Sequence, residues 1–217
     1  MTIPIARLGP LAQLRAGRTP RRISHLLLGL IGYGASVMLL VRSGLGAASW
    51  NVLTEGIARS THLSFGSATN LVALAVLVAW LPIRELPGLG TVLNVALVGF
   101  SADATARVLP QPHGFAAQLG YLLGGLVALA FFDALYLGAQ FGSGPRDGLM
   151  TGLVRLTGKP IAVVRTAIEV VVAVAGWLLG GTVGFGTVLI AVCLGPLVGF
   201  LLPRVTVSLS TAERGKP

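Results

Sequence analysis

Charge is scarce in this chain. Asp, Glu, Lys and Arg make up 11% of 217 residues, and only seven are acidic. A soluble domain of this size carries about a quarter of its residues as charges, so a water-facing globule is excluded. Cysteine is nearly absent: Cys193 stands alone in an apolar run, which rules out an internal disulfide and a thiolate metal site. The three histidines, His25, His62 and His113, are far apart and lack ligand spacing. No Walker loop, HExxH, GxSxG or Cys/His cluster occurs. These absences argue against an ATPase or a membrane hydrolase. The chain reads as a non-enzyme without a cofactor.

What is present is apolar residue. Hydrophobic residues are 54% of the chain and the mean hydropathy is +0.84. Six runs, 24–42, 66–83, 89–108, 116–140, 161–180 and 185–203, have the length of a membrane span. Lipid requires each backbone group to find its partner within the segment, so helices are expected. The net charge of +9 would suggest nucleic acid in a soluble protein. Here the basic residues sort by topology instead. With the N-terminus inside, thirteen of the sixteen Lys and Arg fall on the cytoplasmic side, and Arg42, Arg59 and Arg107 on the other. Both ends are therefore expected in the cytoplasm of a bacterial inner membrane. Residues 1–23 read as a basic cytoplasmic arm near lipid headgroups, not a cleaved signal peptide, and 204–217 as a cytoplasmic tail.

The strongest internal signal is a repeat. Gly88-Leu-Gly-Thr-Val-Leu93 returns as Gly184-Phe-Gly-Thr-Val-Leu189, 96 positions on. The same offset pairs Asn51 with Asp147, Gly56 with Gly152, Arg59 with Arg155 and Gly99 with Gly195. The chain divides into repeats at 24–109 and 110–203. Each holds three spans, and an odd number turns the second copy over, giving an inverted pair.

After the first span of each copy comes a Gly-x-Gly turn and a short amphipathic segment. In the second copy Pro145 suits the first helical position, Asp147 the first turn, and Gly158 the residue past the end. A helix of about ten residues results, too short to span. Lying at the interface or re-entering as a half-helix are both open. Re-entry would aim its free N–H groups into a central cavity. Candidate substrate-binding residues are Gly44, Gly46, Trp50, Asn51, Gly142, Gly144, Arg146 and Asp147. Glu169, four residues from Arg165, and Asp133 in the fourth span are candidates for a coupling ion or proton. Asp133 has no partner on its own helix and is placed to meet Arg165. Asp103 and Arg107 are spaced to pair. The pairs Gly120/Gly124, Gly176/Gly180 and Gly195/Gly199 are spaced for close helix packing inside the monomer, with a homodimer as the other use.

Gly44-Leu-Gly46, Trp50-Asn51-Val-Leu53, Pro87-Gly-Leu-Gly-Thr91, Gly144-Pro-Arg-Asp-Gly-Leu-Met150, Arg165-Thr166 with Glu169, and Gly180-Gly-Thr-Val-Gly184 together resemble the bacterial YczE/YitT-type integral membrane protein family over residues 24–203. The chain has Asn51 where that family often has Asp. The resemblance implies an all-α multi-pass protein of the cytoplasmic membrane. The function expected is a secondary transporter, or exporter, of a small anionic or zwitterionic solute. The alternative is a non-transporting scaffold for a partner enzyme. A lipid-acting enzyme lacks a catalytic set. Convergence of Asn51 and Asp147 on one enclosed cavity would favour transport, and separation to opposite surfaces the scaffold.

Overall fold

The structure, a computed structural model, describes residue 13 and residues 16–209. All regular structure among them is helical: α1 (Thr19–Ser43), α2 (Ser49–Thr61), α3 (Phe65–Ile83), α4 (Leu89–Val108), α5 (Phe115–Gly138), α6 (Pro145–Thr157), α7 (Ile161–Leu178) and α8 (Phe185–Val205). Six of these, all but α2 and α6, are long and apolar enough to cross a membrane.

The helix ends follow local chemistry. Pro145 opens α6, and Gly158 closes it at a φ of 65°. The left-handed end is matched at Gly44 after α1 and His62 after α2. Ser64 caps α3 by accepting from the Ser67 N–H at 3.1 Å. At the starts of α4 and α8 the Gly88 and Gly184 N–H groups donate to the Thr91 and Thr187 hydroxyls, at 3.1 and 3.2 Å.

The first helix starts at Thr19, five residues before the expected span. Arg22, assigned from sequence to the basic arm, is instead fully buried. Its guanidinium donates to the carbonyls of Ala139 and Gln140, each at 2.9 Å, and lies 4.1 Å over the Phe141 ring. It thus supplies donors to the carbonyls that a helix end leaves unpaired. The remainder of the arm, with Arg7 and Arg15, and of the tail, with Arg214 and Lys216, lies outside the described residues.

Packing recurs in matched pairs at the 96-residue offset. Where α1 crosses α5, a Cβ on Gly29 would lie 2.7 Å from the Tyr136 backbone nitrogen, and one on Gly125 would lie 2.9 Å from Leu40. Gly29 matches Gly125, and Leu40 matches Tyr136. The absence of a side chain at each glycine lets the two helices approach. The turns behave alike: Gly186 donates to the Leu45 carbonyl at 2.7 Å, and Gly90 to that of Phe141 at 2.8 Å.

The short helices interlock the halves. Helix α2 packs on α7, and α6 on α3. Gly176 lies against the backbone of Leu53, while Trp80, at the matching place, lies over Gly148. The small partner changes sides, so each contact stays filled. Arg59 donates to the Gly180 carbonyl, and Arg155 to that of Ile83. Each cation faces the C-terminal end of a helix from the other half, where helix dipole and free carbonyls favour it. Glu55 braces the first of these ends, accepting from Thr182 N–H at 2.8 Å and from the Thr182 hydroxyl at 2.9 Å.

The matching fails at one place. Helices α3 and α4 pack together, whereas α7 and α8 scarcely touch. In the first seam a Cβ on Gly99 would meet Asn70 Oδ1 at 2.0 Å and the Gly66 carbonyl oxygen at 2.3 Å. The matching Gly195 meets nothing within 4 Å. Asp103 closes the first seam, accepting from the Gly66 N–H at 2.7 Å and the Ser64 hydroxyl at 2.6 Å. It does not pair with Arg107 as its spacing had suggested. Its counterpart is Gly199, which has no neighbour within 4 Å. Of the expected glycine pairs, only Gly176 makes a close helix contact within the chain. Gly120, Gly124, Gly180, Gly195 and Gly199 face open space.

Candidate substrate cavity

The N-terminal turns of α2 and α6 meet at a cavity of about 170 Å³. Its wall takes Tyr33 from α1, Trp50 and Asn51 from α2, Thr69 and Ala73 from α3, and Asn94 and Val98 from α4. From the second half come Asp133 and Tyr136 on α5, Gly144, Arg146, Asp147 and Met150 at α6, Arg165 and Glu169 on α7, and Thr187 with Leu194 on α8. Several of these are counterparts across the 96-residue offset: Trp50 with Arg146, Asn51 with Asp147, Thr69 with Arg165, Ala73 with Glu169. Trp50 and Arg146 stand in contact, with the guanidinium carbon 5.2 Å from the ring centre.

The structure therefore brings Trp50, Asn51, Gly144, Arg146, Asp147, Asp133 and Glu169 to one wall. It does not bring Gly44, Gly46 and Gly142 there. Gly46 and Gly142 turn the chain at φ of 111° and 102°, and their missing side chains admit Thr187 and Thr91 respectively. A Cβ on Gly46 would lie 2.7 Å from the Gly184 nitrogen. Their work is to seat the start of α8 and of α4, not to offer backbone groups to the cavity. Gly44 lines a separate surface groove with Arg42, Glu55 and Arg59.

All the charge in the cavity comes from the second half. Arg165 Nε and Glu169 Oε1 pair at 3.0 Å on a half-exposed face of α7. Arg165 is thereby engaged, and no ion pair joins it to Asp133 among the described residues. The carboxylates of Asp133 and Asp147 have neither a hydrogen-bond nor an ion-pair partner among the described residues. Burial pushes the Asp147 carboxyl above the usual carboxylate range, and the Arg146 and Arg165 guanidinium groups draw it partly back. Asn51 is 2% exposed. Its backbone N–H closes the first turn of α2 on Ala48 O at 2.7 Å. Its side-chain amide has no hydrogen bond among the described residues. Buried polar groups are ordinarily satisfied; here the open amide of buried Asn51 shares the cavity wall with two half-buried, open carboxylates.

Sequence reasoning missed Tyr33, Tyr136, Met150 and Thr187 as wall residues. Tyr33 and Tyr136 did carry a signal, being hydroxyl-bearing rings inside otherwise apolar runs. Thr187 was visible as the partner of Thr91 in the repeat, without any hint that it borders the cavity.

The chain is similar to several known proteins. An uncharacterized protein of Haemophilus influenzae is 40% identical over 182 residues, covering 84% of each chain. The uncharacterized membrane protein YczE of Bacillus subtilis is 29% identical over 81% of each chain. A second Bacillus subtilis protein, the uncharacterized YyaS, is 26% identical over 79% of this chain and 87% of its own. The likeness to YczE bears out the resemblance read from the motifs. No solved structure matches. Residues 20–203 match the family of unknown function DUF6198. With six apolar helices around a polar cavity, the chain is a membrane protein and belongs to that family.

Proposed function

We propose that this protein is a secondary transporter of a small solute, working by alternating access around the cavity between its two halves. The observation that carries the reading is the unequal pair of seams beside one cavity. The α3–α4 seam is shut by Gly66, Gly99 and Asp103. The α7–α8 seam, built at the matching positions Ala162, Gly195 and Gly199, stands apart, and the cavity wall includes Arg165, Glu169 and Leu194 along it. In an inverted repeat the two seams exchange roles when one half rocks against the other. Under the orientation expected from the basic residues, the open seam faces the cytoplasm and the shut one the outside. Pro196, next to Gly195 in α8, removes a backbone hydrogen bond at the place where α8 would bend to close.

A scaffold protein has no need for a cavity that gathers polar residues from both halves. The test is a cross-link. In a Cys193→Ser background, Ala162→Cys and Gly195→Cys are joined with a short thiol-reactive linker in membranes. Alternating access requires a state in which these two approach as Gly66 and Gly99 do here, so a cross-link forms and its yield changes with the solute. A folded protein in which the pair never joins sinks the proposal.

A further inference from the structure

We propose that the cavity receives the protonated amine or quaternary ammonium group of a small solute, seated between Asp133 and Asp147 beside the Asn51 amide. This rests on the transport reading and names the class of solute.

The argument begins with charge. Arg165 and Glu169 neutralise one another. What remains in the cavity is two carboxylates and one guanidinium, that of Arg146, which is stacked on Trp50 and paired with neither carboxylate. Both carboxylates stand half-buried at the cavity wall with no ion-pair partner among the described residues, and an unpaired ionisable group at membrane depth is costly. Two such groups on one wall are accounted for by a cation that enters and pairs with them. An anion at the same place would face like charge on both sides.

Shape and polarity agree. About 170 Å³ is below the range of about 300–1,000 Å³ that holds drug-sized ligands, so the solute is small. Tyr33 and Tyr136 line the same wall, and aromatic faces attract ammonium groups, quaternary ones above all. Asn51 is 2% exposed, and its amide offers both a donor and an acceptor with no hydrogen-bond partner among the described residues. The first turn of α2 contains no acidic residue, so its free N–H groups, together with Arg146, leave room for a carboxylate at the other end of the solute. A simple cation and a zwitterion share the ammonium chemistry. A solute that is only an anion does not.

The experiment measures binding to the full chain in detergent by thermal shift and by titration calorimetry. The probes are choline, ethanolamine, glycine betaine and propionate. The proteins are wild type, Asp133→Asn and Asp147→Asn, with Glu85→Gln as a control outside the cavity. At least one of the three ammonium probes is expected to raise the melting temperature saturably, and propionate to leave it unchanged. Either Asp→Asn change should weaken that binding about tenfold or more, as loss of one partner of an enclosed charge pair does, while Glu85→Gln keeps it. Stronger binding by betaine than by choline identifies the zwitterion as the natural form, and the reverse the simple cation. If Asp133→Asn fails to fold, Asp147→Asn decides alone. The proposal is overturned if no ammonium probe binds, if propionate binds in their place, or if ammonium binding survives both carboxylate changes undiminished. In those cases a cross-link between Ala162→Cys and Gly195→Cys still supports transport of some other solute, whereas absence of the cross-link removes the transport reading whatever binds.

Discussion

The two halves of this protein share their turns and short helices but differ in how their last two spans meet. In the first half two glycines let α3 and α4 approach closely, and the part-buried carboxylate of Asp103 ties α4 to the start of α3. In the second half, the matching positions carry Ala162, Thr166, Gly195 and Gly199. Of the two glycines only the one at Gly195 is kept, Asp103 gives way to Gly199, and α7 and α8 stand apart. Charge is divided in the opposite sense. The tightly packed half gives the cavity only neutral groups, Tyr33, Trp50, Asn51, Thr69 and Asn94, and the looser half gives Asp133, Arg146, Asp147, Arg165 and Glu169. The shared contacts are those that interlock one half with the other. The contacts that differ lie within a half, where a change of seam leaves the interlock intact.

The largest expected effect breaks this comparison directly. Gly99→Leu forces a side chain into the Gly66 carbonyl and Asn70, and should cost about 3 kcal/mol or prevent folding. Gly195→Leu meets open space and should leave the melting temperature in detergent unchanged. Equal losses at both would mean that the seams are alike in the membrane.

Next come the shared turns. Gly46→Val and Gly142→Val each add a branched side chain at positive φ, against Gly184 and Gly88 respectively. Both should destabilise by about 2 kcal/mol. Chemical or thermal unfolding of the pair should give similar losses, slightly larger at Gly46, where the clash is closer. A one-sided loss would show that only one turn carries the interlock.

Smaller effects are expected at the helix-end arginines. Arg59→Gln and Arg155→Gln remove matched contacts, but both side chains are more than half exposed, at 58% and 55%. Each change should cost about 1 kcal/mol or less, and the two should add in the double variant, since the sites are separate. The smallest change in stability belongs to Glu169→Gln. Its pair with Arg165 is exposed enough that about 0.5 kcal/mol or less is at stake. Uptake in liposomes should fall nonetheless if Glu169 couples transport, and should not change if the pair is merely structural.

Much of the fold was legible residue by residue. Pro145, Asp147 and Gly158 marked the start, first turn and end of α6, because each residue type answers a local requirement of a helix terminus. The six apolar runs marked the spans, because length and hydropathy are local too. Arg22 was misread because a basic residue before an apolar run looks the same whether it meets water or a row of carbonyls. Those carbonyls belong to Ala139 and Gln140, more than a hundred residues away. The Gly-x-Gly turns were misread for a similar reason. Their need for positive φ was visible, but not that Thr187 and Thr91 fill the space beside them. Asp103 and Arg107 had helical spacing for a pair, and the N–H of Gly66 on another helix took the carboxylate instead.

The sequence by itself determined the number of spans, the two short helices, the repeat and the candidate pairs Trp50/Arg146 and Asn51/Asp147. These depend on composition, period and capping, which act over a few residues, and on self-similarity, which needs no structure to detect. Only the tertiary structure decided that the pairs converge on one cavity, that Asp133 and Asp147 find no partner among the described residues, and that one seam is shut while its counterpart is open. Those outcomes depend on which side chains from distant segments reach each other first, and on how closely two helices can approach once glycine, rather than a larger residue, stands between them.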